Sequence, residues 1–131
     1  MKPFEAIVTE AMRPFYEALH FAPAVKQGDR IYCSGMLGLG SNGAPITDPE
    51  AQFTRVFEGI REVLEMAGAT YADVLDVTSY HVDLSKHLQT FAKVKERYVP
   101  APYPAWTAVG VAELALPGAL VEMKVTARAH R

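Results

Sequence analysis

The strongest periodic signal in the chain lies between residues 53 and 67. Phe53, Val56, Phe57, Ile60, Val63, Leu64 and Ala67 recur at steps of three and four, which gathers them into one apolar stripe on a helix. Thr47 with Glu50 has the form of a capping box, Pro49 suits a first turn, and Gly68 supplies a C-terminal stop. A second helix starts at Ser85, a candidate N-cap, and runs to about Tyr98 with Leu88, Phe91, Val94 and Tyr98 on one side. Pro100, Pro102 and Pro104 prevent its continuation and lay down an extended connector.

Around these helices the period changes to two. On Ala119–Arg128 the apolar Val121, Met123, Val125 and Ala127 alternate with Glu122, Lys124, Thr126 and Arg128, the pattern of a strand with one face covered and one open. Phe21–Val25 and Arg30–Gly35 read as a hairpin turning through Lys26-Gln27-Gly28-Asp29. Val74–Val82, rich in Val, Thr and Tyr, and Trp106–Val111 are the remaining strands. Residues 36 to 47 are a loop, and residues 1–20 are an irregular N-terminal arm with a short helix over Pro14–Leu19. The order ββαβαββ predicts a two-layer α+β domain with both helices packed on one face of a mixed sheet. No helix remains to cover the second face, near which Tyr80, Val82 and Trp106 are expected. A wide, partly apolar open face implies association, so a homo-oligomer is expected.

Composition narrows the function classes. The 131 residues are expected to form a single domain, and half of them are apolar, which is globular rather than disordered composition. A net charge of −2 counts against a nucleic-acid binder, which would carry a basic face. Lys93, Lys95 and Arg97 are the densest basic cluster, and on a helix they do not share one side. The longest apolar run, Leu114–Val121, is interrupted by Pro117 and Gly118 and falls far short of the roughly 20 residues a membrane span needs. Met1-Lys2-Pro3-Phe4-Glu5 lacks a basic patch leading into an apolar stretch, so no secretory leader and a cytoplasmic location are expected. The one cysteine, Cys33, sits in a strand and reads as a buried, unreactive thiol.

Candidate chemistry is sparse. Gly38-Leu39-Gly40-Ser41-Asn42-Gly43 matches G-x-G-x-x-G and follows a strand, but Ala44-Pro45-Ile46 intervene before any helix. The stretch therefore reads as a turn rather than a dinucleotide fingerprint. His20, His81, His87 and His130 show no metal-ligand spacing, and neither a metal nor a cofactor is expected. Glu122 stands out as a mid-strand carboxylate between apolar neighbours. An ion pair with Lys124 or Arg128 and a chemical role are both open to it.

Several stretches taken together resemble a known family. Pro104-Ala105-Trp106-Thr107-Ala108-Val109-Gly110-Val111-Ala112 followed by Leu120-Val121-Glu122-Met123 resembles the C-terminal signature of the RidA/YjgF (reactive-intermediate deaminase, endoribonuclease L-PSP-like) family. Pro23-Ala24-Val25 with Ser34-Gly35, the first helix with Ala67-Gly68, and Phe91…Tyr98 fall in register with it, so the resemblance spans about residues 20 to 128. It implies a chorismate-mutase-like α+β fold in homotrimers with clefts between subunits. It also implies cofactor-free hydrolysis of 2-imino and enamine acids to 2-keto acids and ammonia. Carried over, Glu122 positions water, Ser34, Gly35 and Ala108 lie where backbone groups hold the reacting end, and Phe21 is the hairpin aromatic. Met36 stands where a glutamine commonly follows Ser-Gly, Lys95 where an asparagine is often found, and Trp106 where an arginine grips the substrate carboxylate. Indole offers one neutral donor in place of a charged fork. The run Tyr103-Pro104-x-Trp106-Thr107-Ala108-Val109-Gly110-Val111 looks like an arginine-lacking branch of the family.

The functional expectation is a homotrimer whose clefts bind a small, rather apolar metabolite, with Trp106 and Phe21 as walls and Glu122 as polar anchor. Trp106 and Glu122 are expected to share one cleft and one exposed face. Imine or enamine hydrolase (deaminase) activity is expected to be weak or altered. The rival is a non-enzymatic regulatory or interaction protein on the same scaffold. Endoribonuclease activity or translation inhibition, often attached to family names, has acidic charge and the lack of a His/Lys constellation against it. No nucleic-acid or membrane partner is expected.

Overall fold

The computed structural model describes residues 2–130. Its elements run β1 (Glu5–Ile7), α1 (Arg13–Leu19), β2 (Ala24–Gln27), β3 (Arg30–Cys33), α2 (Pro49–Ala67), β4 (Val74–His81), α3 (Leu84–Tyr98), β5 (Ala105–Gly110) and β6 (Val121–Arg128). Short 3-10 turns occupy Glu10–Met12 and Tyr71–Asp73. The six strands form one sheet in the order β1-β2-β3-β6-β4-β5, antiparallel throughout except between β4 and β5. That exception follows from the connection: α3 carries the chain back across the sheet before β5 begins, as a parallel pair requires. The fold is the mixed α+β architecture expected.

The two periodicities meet in the core. Phe53, Val56, Phe57, Ile60, Val63, Leu64 and Ala67 of α2 are all buried, together with Phe91 and Val94 of α3. They cover Ile31 and Cys33 of β3, Val77 of β4, and Val121, Met123, Val125 and Ala127 of β6. Aromatic rings close the gap between the helices: Phe57 lies 5.4 Å from Phe91 and 5.2 Å from Tyr98, and Phe53 lies 5.6 Å from Phe91. Gln52 is fully buried and saturated. Its amide donates to the carbonyls of Ile46 and Gly118, and its Oε1 accepts from the Leu120 N–H at 2.7 Å. It thereby ties two loops to α2, and both loops border the cavity described below.

Three expectations are corrected. The N-terminal arm contains a strand, β1, paired with β2 at the sheet edge; a three-residue segment has no alternation to announce it. Both caps are shifted. Asp48, not Thr47, caps α2 by accepting from Ala51 N–H, and Glu50 pairs with Arg97 instead of closing a box. Asp83, not Ser85, precedes α3, in left-handed backbone and without a side-chain cap. The third concerns Trp106. It is in register with Val77, which is in register with Val125, and both of those are buried under the helices. Trp106 therefore faces the helical layer, while Glu122, in register with Tyr80, faces the open side. Position within one strand says nothing of facing until the register with its neighbours is known.

Candidate functional site

The hairpin turns through Gly28 at φ +60°, which a residue with a Cβ adopts only under strain, and this aligns Gln27 with Arg30. Beyond β3 the chain crosses the end of β6. Ser34 N–H donates to Pro23 O at 2.8 Å and its hydroxyl to Ala22 O at 2.6 Å. Met36 and Met123 exchange backbone bonds at 2.8 and 3.1 Å. These bonds press Gly35 onto the Glu122 side chain: a Cβ on Gly35 would lie 2.6 Å from Glu122 Cδ and overlap Oε2. Gly35 is thus required by close approach, so that the carboxylate can rest on the backbone.

Above this contact lies a cavity of about 380 Å³. Phe21, Ser34, Gly35, Met36 and Glu122 all border it, so five of the seven residues singled out from sequence converge. The rest of the wall is apolar: Met12, Phe15 and Leu19 from the N-terminal turn and α1, Leu37 and Leu39 from the loop, and Ala115 and Leu116 from the segment before β6. Among the described residues Glu122 is the only ionisable side chain in the lining. Among the described residues it forms no ion pair with Lys124 or Arg128; Arg128 instead bonds Asp29 at 2.8 Å. A half-buried carboxylate of this kind can accept from a ligand N–H or hold a water. Sequence reasoning missed the α1 wall, although Met12, Phe15 and Leu19 recur at helical spacing and could have signalled a second apolar stripe.

Trp106 and Ala108 lie elsewhere, on β5, separated from β6 by β4. The indole is held from several sides. Its N–H donates to Ser79 Oγ at 2.9 Å, its ring lies 5.9 Å from Phe91, and Lys95 Nζ sits 4.5 Å above it. Ser79 is buried and also bonds His81 Nε2 at 2.8 Å, while His81 Nδ1 is buried without a partner. Burial, with His87 adding to it, pushes the His81 pKa down, and burial lowers that of Lys95. Cys33 is buried and its thiol is pushed up to about 12, which keeps it protonated and unreactive. The G-x-G-x-x-G stretch forms a turn, with Gly43 N–H donating to Gly40 O, well ahead of α2. Among the described residues no group of three His, Cys, Asp or Glu could hold a metal ion.

The family model described as "Endoribonuclease L-PSP" matches residues 12–129. The chain belongs to this RidA/YjgF family. Its similarity to other RidA/YjgF proteins extends over nearly the full length. The RutC family protein YjgH of Escherichia coli is 36% identical over 124 residues, covering 94% of this chain and 93% of that protein. A protein of Dermatophagoides farinae named 2-iminobutanoate/2-iminopropanoate deaminase is 31% identical, covering 72% and 74%. The solved structure of protein YjgH superposes with a TM-score of 0.89 at 34% identity over 99% of both chains. A YjgF/YER057c/UK114 family structure from Mycobacterium tuberculosis gives 0.83 at 27% identity, covering 96% and 99%. Some RidA/YjgF relatives are thus named for deamination and others only for the family. No helix of the described residues is long and apolar enough to cross a membrane.

Proposed function

We propose that this RidA/YjgF protein binds a small, largely apolar metabolite in clefts formed between the copies of a homotrimer, with Glu122 as the polar anchor. The observation that carries this reading is the cavity itself, apolar on every side but one and floored by a carboxylate that has no ion-pair partner among the described residues. The division of the candidate residues supports the intersubunit cleft. Phe21, Ser34, Gly35, Met36 and Glu122 share one cavity, whereas Trp106 and Ala108 lie two strands away on the opposite face. The two groups can meet only if a second copy brings its β5 edge to the cavity.

Hydrolysis of imines or enamines at this site is expected to be at most weak or altered. In that reaction an enamine first tautomerises to its imine, and water held by Glu122 adds to the C=N carbon with one proton passing to nitrogen. The carbinolamine then passes its hydroxyl proton to nitrogen as it releases ammonia and leaves a carbonyl. A substrate carboxylate would need a cation at position 106. Trp106 has one neutral donor there, and that donor is engaged by Ser79. Losing a charge-assisted bond costs about 1.5–3 kcal/mol, roughly ten- to a hundredfold in binding. These features support assignment to an arginine-lacking branch. The test couples the protein to an amino-acid oxidase and follows keto-acid release. The expected result is little acceleration, and acceleration matching an arginine-bearing relative would overturn the reading. Sedimentation as a 14.4 kDa monomer would remove the intersubunit cleft.

A further inference from the structure

The cavity above Glu122 has a neighbour across Met36. A second cavity of about 270 Å³ shares Met12, Phe15, Met36, Leu37 and Leu39 with it and continues beneath the N-terminal turn to Gly40, Ser41, Gly43 and Arg55. Two cavities with these walls in common are neighbours, and Ala11, Met12, Phe15 and Leu19 of the N-terminal segment line one or both. They carry opposite charge, Glu122 in the first and Arg55 on α2 in the second. Thioether, aromatic and aliphatic side chains fill the distance between. The glycine-rich turn lines the Arg55 end. Gly40 and Gly43 present no side chain there, and Ser41 is an exposed hydroxyl.

Arg55 is available to a ligand. Its Nη2 donates to Glu62 at 3.2 Å, but both side chains are more than a third exposed, and such pairs are weak and readily exchanged. Glu58 also feels the Arg55 charge, though it bonds Tyr98 and Arg61. Nε and Nη1 of Arg55 make no hydrogen bond among the described residues, which leaves guanidinium donors for a second carboxylate.

We propose that the two cavities join into one groove that takes an apolar chain bearing a single carboxylate, with the carboxylate on Arg55 and the chain lying toward Glu122, which keeps its water. The direction follows from charge. A carboxylate at the other end would face Glu122, whereas at Arg55 it gains charge-assisted bonds in fork geometry. The chain displaces water from Met12, Phe15, Leu37 and Leu39 and is driven by their burial. This rests on the reading that the cavity binds a small apolar molecule, and it names the ligand's class and orientation.

Calorimetric titration of the full chain with the straight-chain acids from butanoate to decanoate, and with the alcohols of matching length, tests it. Affinity for the acids should rise about fourfold per methylene until the groove is filled. Each acid should bind about tenfold more tightly than its alcohol, the worth of one charge-assisted bond. Arg55→Gln should bring the acids down to about the level of the alcohols. Glu62→Gln removes the competing carboxylate and should tighten the acids alone, which keeps the test decisive if Arg55→Gln fails to fold. Alcohols that bind as well as acids, or acids indifferent to both substitutions, would overturn the Arg55 assignment and leave the apolar-ligand reading standing. If neither series binds the wild-type chain, that underlying reading falls as well.

Discussion

The two faces of the sheet are built on opposite terms, and β6 carries both. Val121, Met123, Val125 and Ala127 are at most 1% exposed beneath the helices, while Glu122, Lys124, Thr126 and Arg128 alternate with them on the open side. On the covered face polar groups satisfy one another: the Trp106 indole, Ser79 and His81 form a chain closed by Phe91 and capped by Lys95. Among the described residues only His81 Nδ1 is left over. On the open face the most enclosed charge, Glu122, has been given room by Gly35 and no ion-pair partner among the described residues. A face whose polar groups are nearly all paired holds the fold together, whereas a carboxylate kept unpaired beside a cavity is free for a ligand. The difference between the faces therefore separates stability from function, and substitutions can test that separation.

The largest effect is expected on the covered face. Phe91 contacts Phe53, Phe57, His81 and Trp106, and Phe91→Ala should cost about 3–5 kcal/mol in urea unfolding. A loss below about 1 kcal/mol would mean that the aromatic layer is not the main source of stability. Next comes Ser79→Ala, which strands the indole N–H and the imidazole together. It should cost about 1–3 kcal/mol and shift the emission of the single tryptophan. Unchanged fluorescence would show that Ser79 does not hold the ring.

A pH titration sharpens the same contrast. The His81 pKa is lowered from 6.5 by burial, so just below pH 6.5 the unfolded chain binds a proton that the folded chain does not. Stability should therefore be full above about pH 6.5 and fall as the pH drops below it, levelling once the folded imidazole also protonates. Thermal melts of wild type and His81→Asn measure this, and equal slopes for the two would assign the dependence to other groups. Glu58, the carboxyl held down by Tyr98 and Arg61, acts in the more acidic range below 4.5 and does not confuse the comparison.

The smallest stability effect belongs to the open face. Glu122→Gln removes no ion pair, so unfolding should change by no more than about 0.5 kcal/mol while ligand binding in the cavity is weakened. A large loss of stability with binding intact would make Glu122 structural and reverse the reading of the two faces.

Periodicity makes both layers legible in the sequence itself. Every residue of the 53–67 stripe is buried, and β6 alternates as written, because a helix or strand that must cover a core sorts its side chains at a fixed spacing. Signals of one or two residues are less secure: Asp48 caps α2 in place of Thr47, since neighbouring polar residues compete at little difference in energy, and α3 starts after a left-handed Asp83 without any side-chain cap. The cavity is legible only in part. Phe21, Ser34, Gly35, Met36 and Glu122 lie in three separate stretches of sequence, and the backbone bonds between Met36 and Met123 bring Gly35 against Glu122. Spacing along one segment contains no information about pairing between segments. For the same reason Trp106 can be identified from sequence as an unusual residue but not assigned a face. Local periodicity determined the longer elements and the inward side of β6 and the helices. The register across β6, β4 and β5, a matter of long-range hydrogen bonding, decided that Trp106 would support the core and Glu122 would border the cavity.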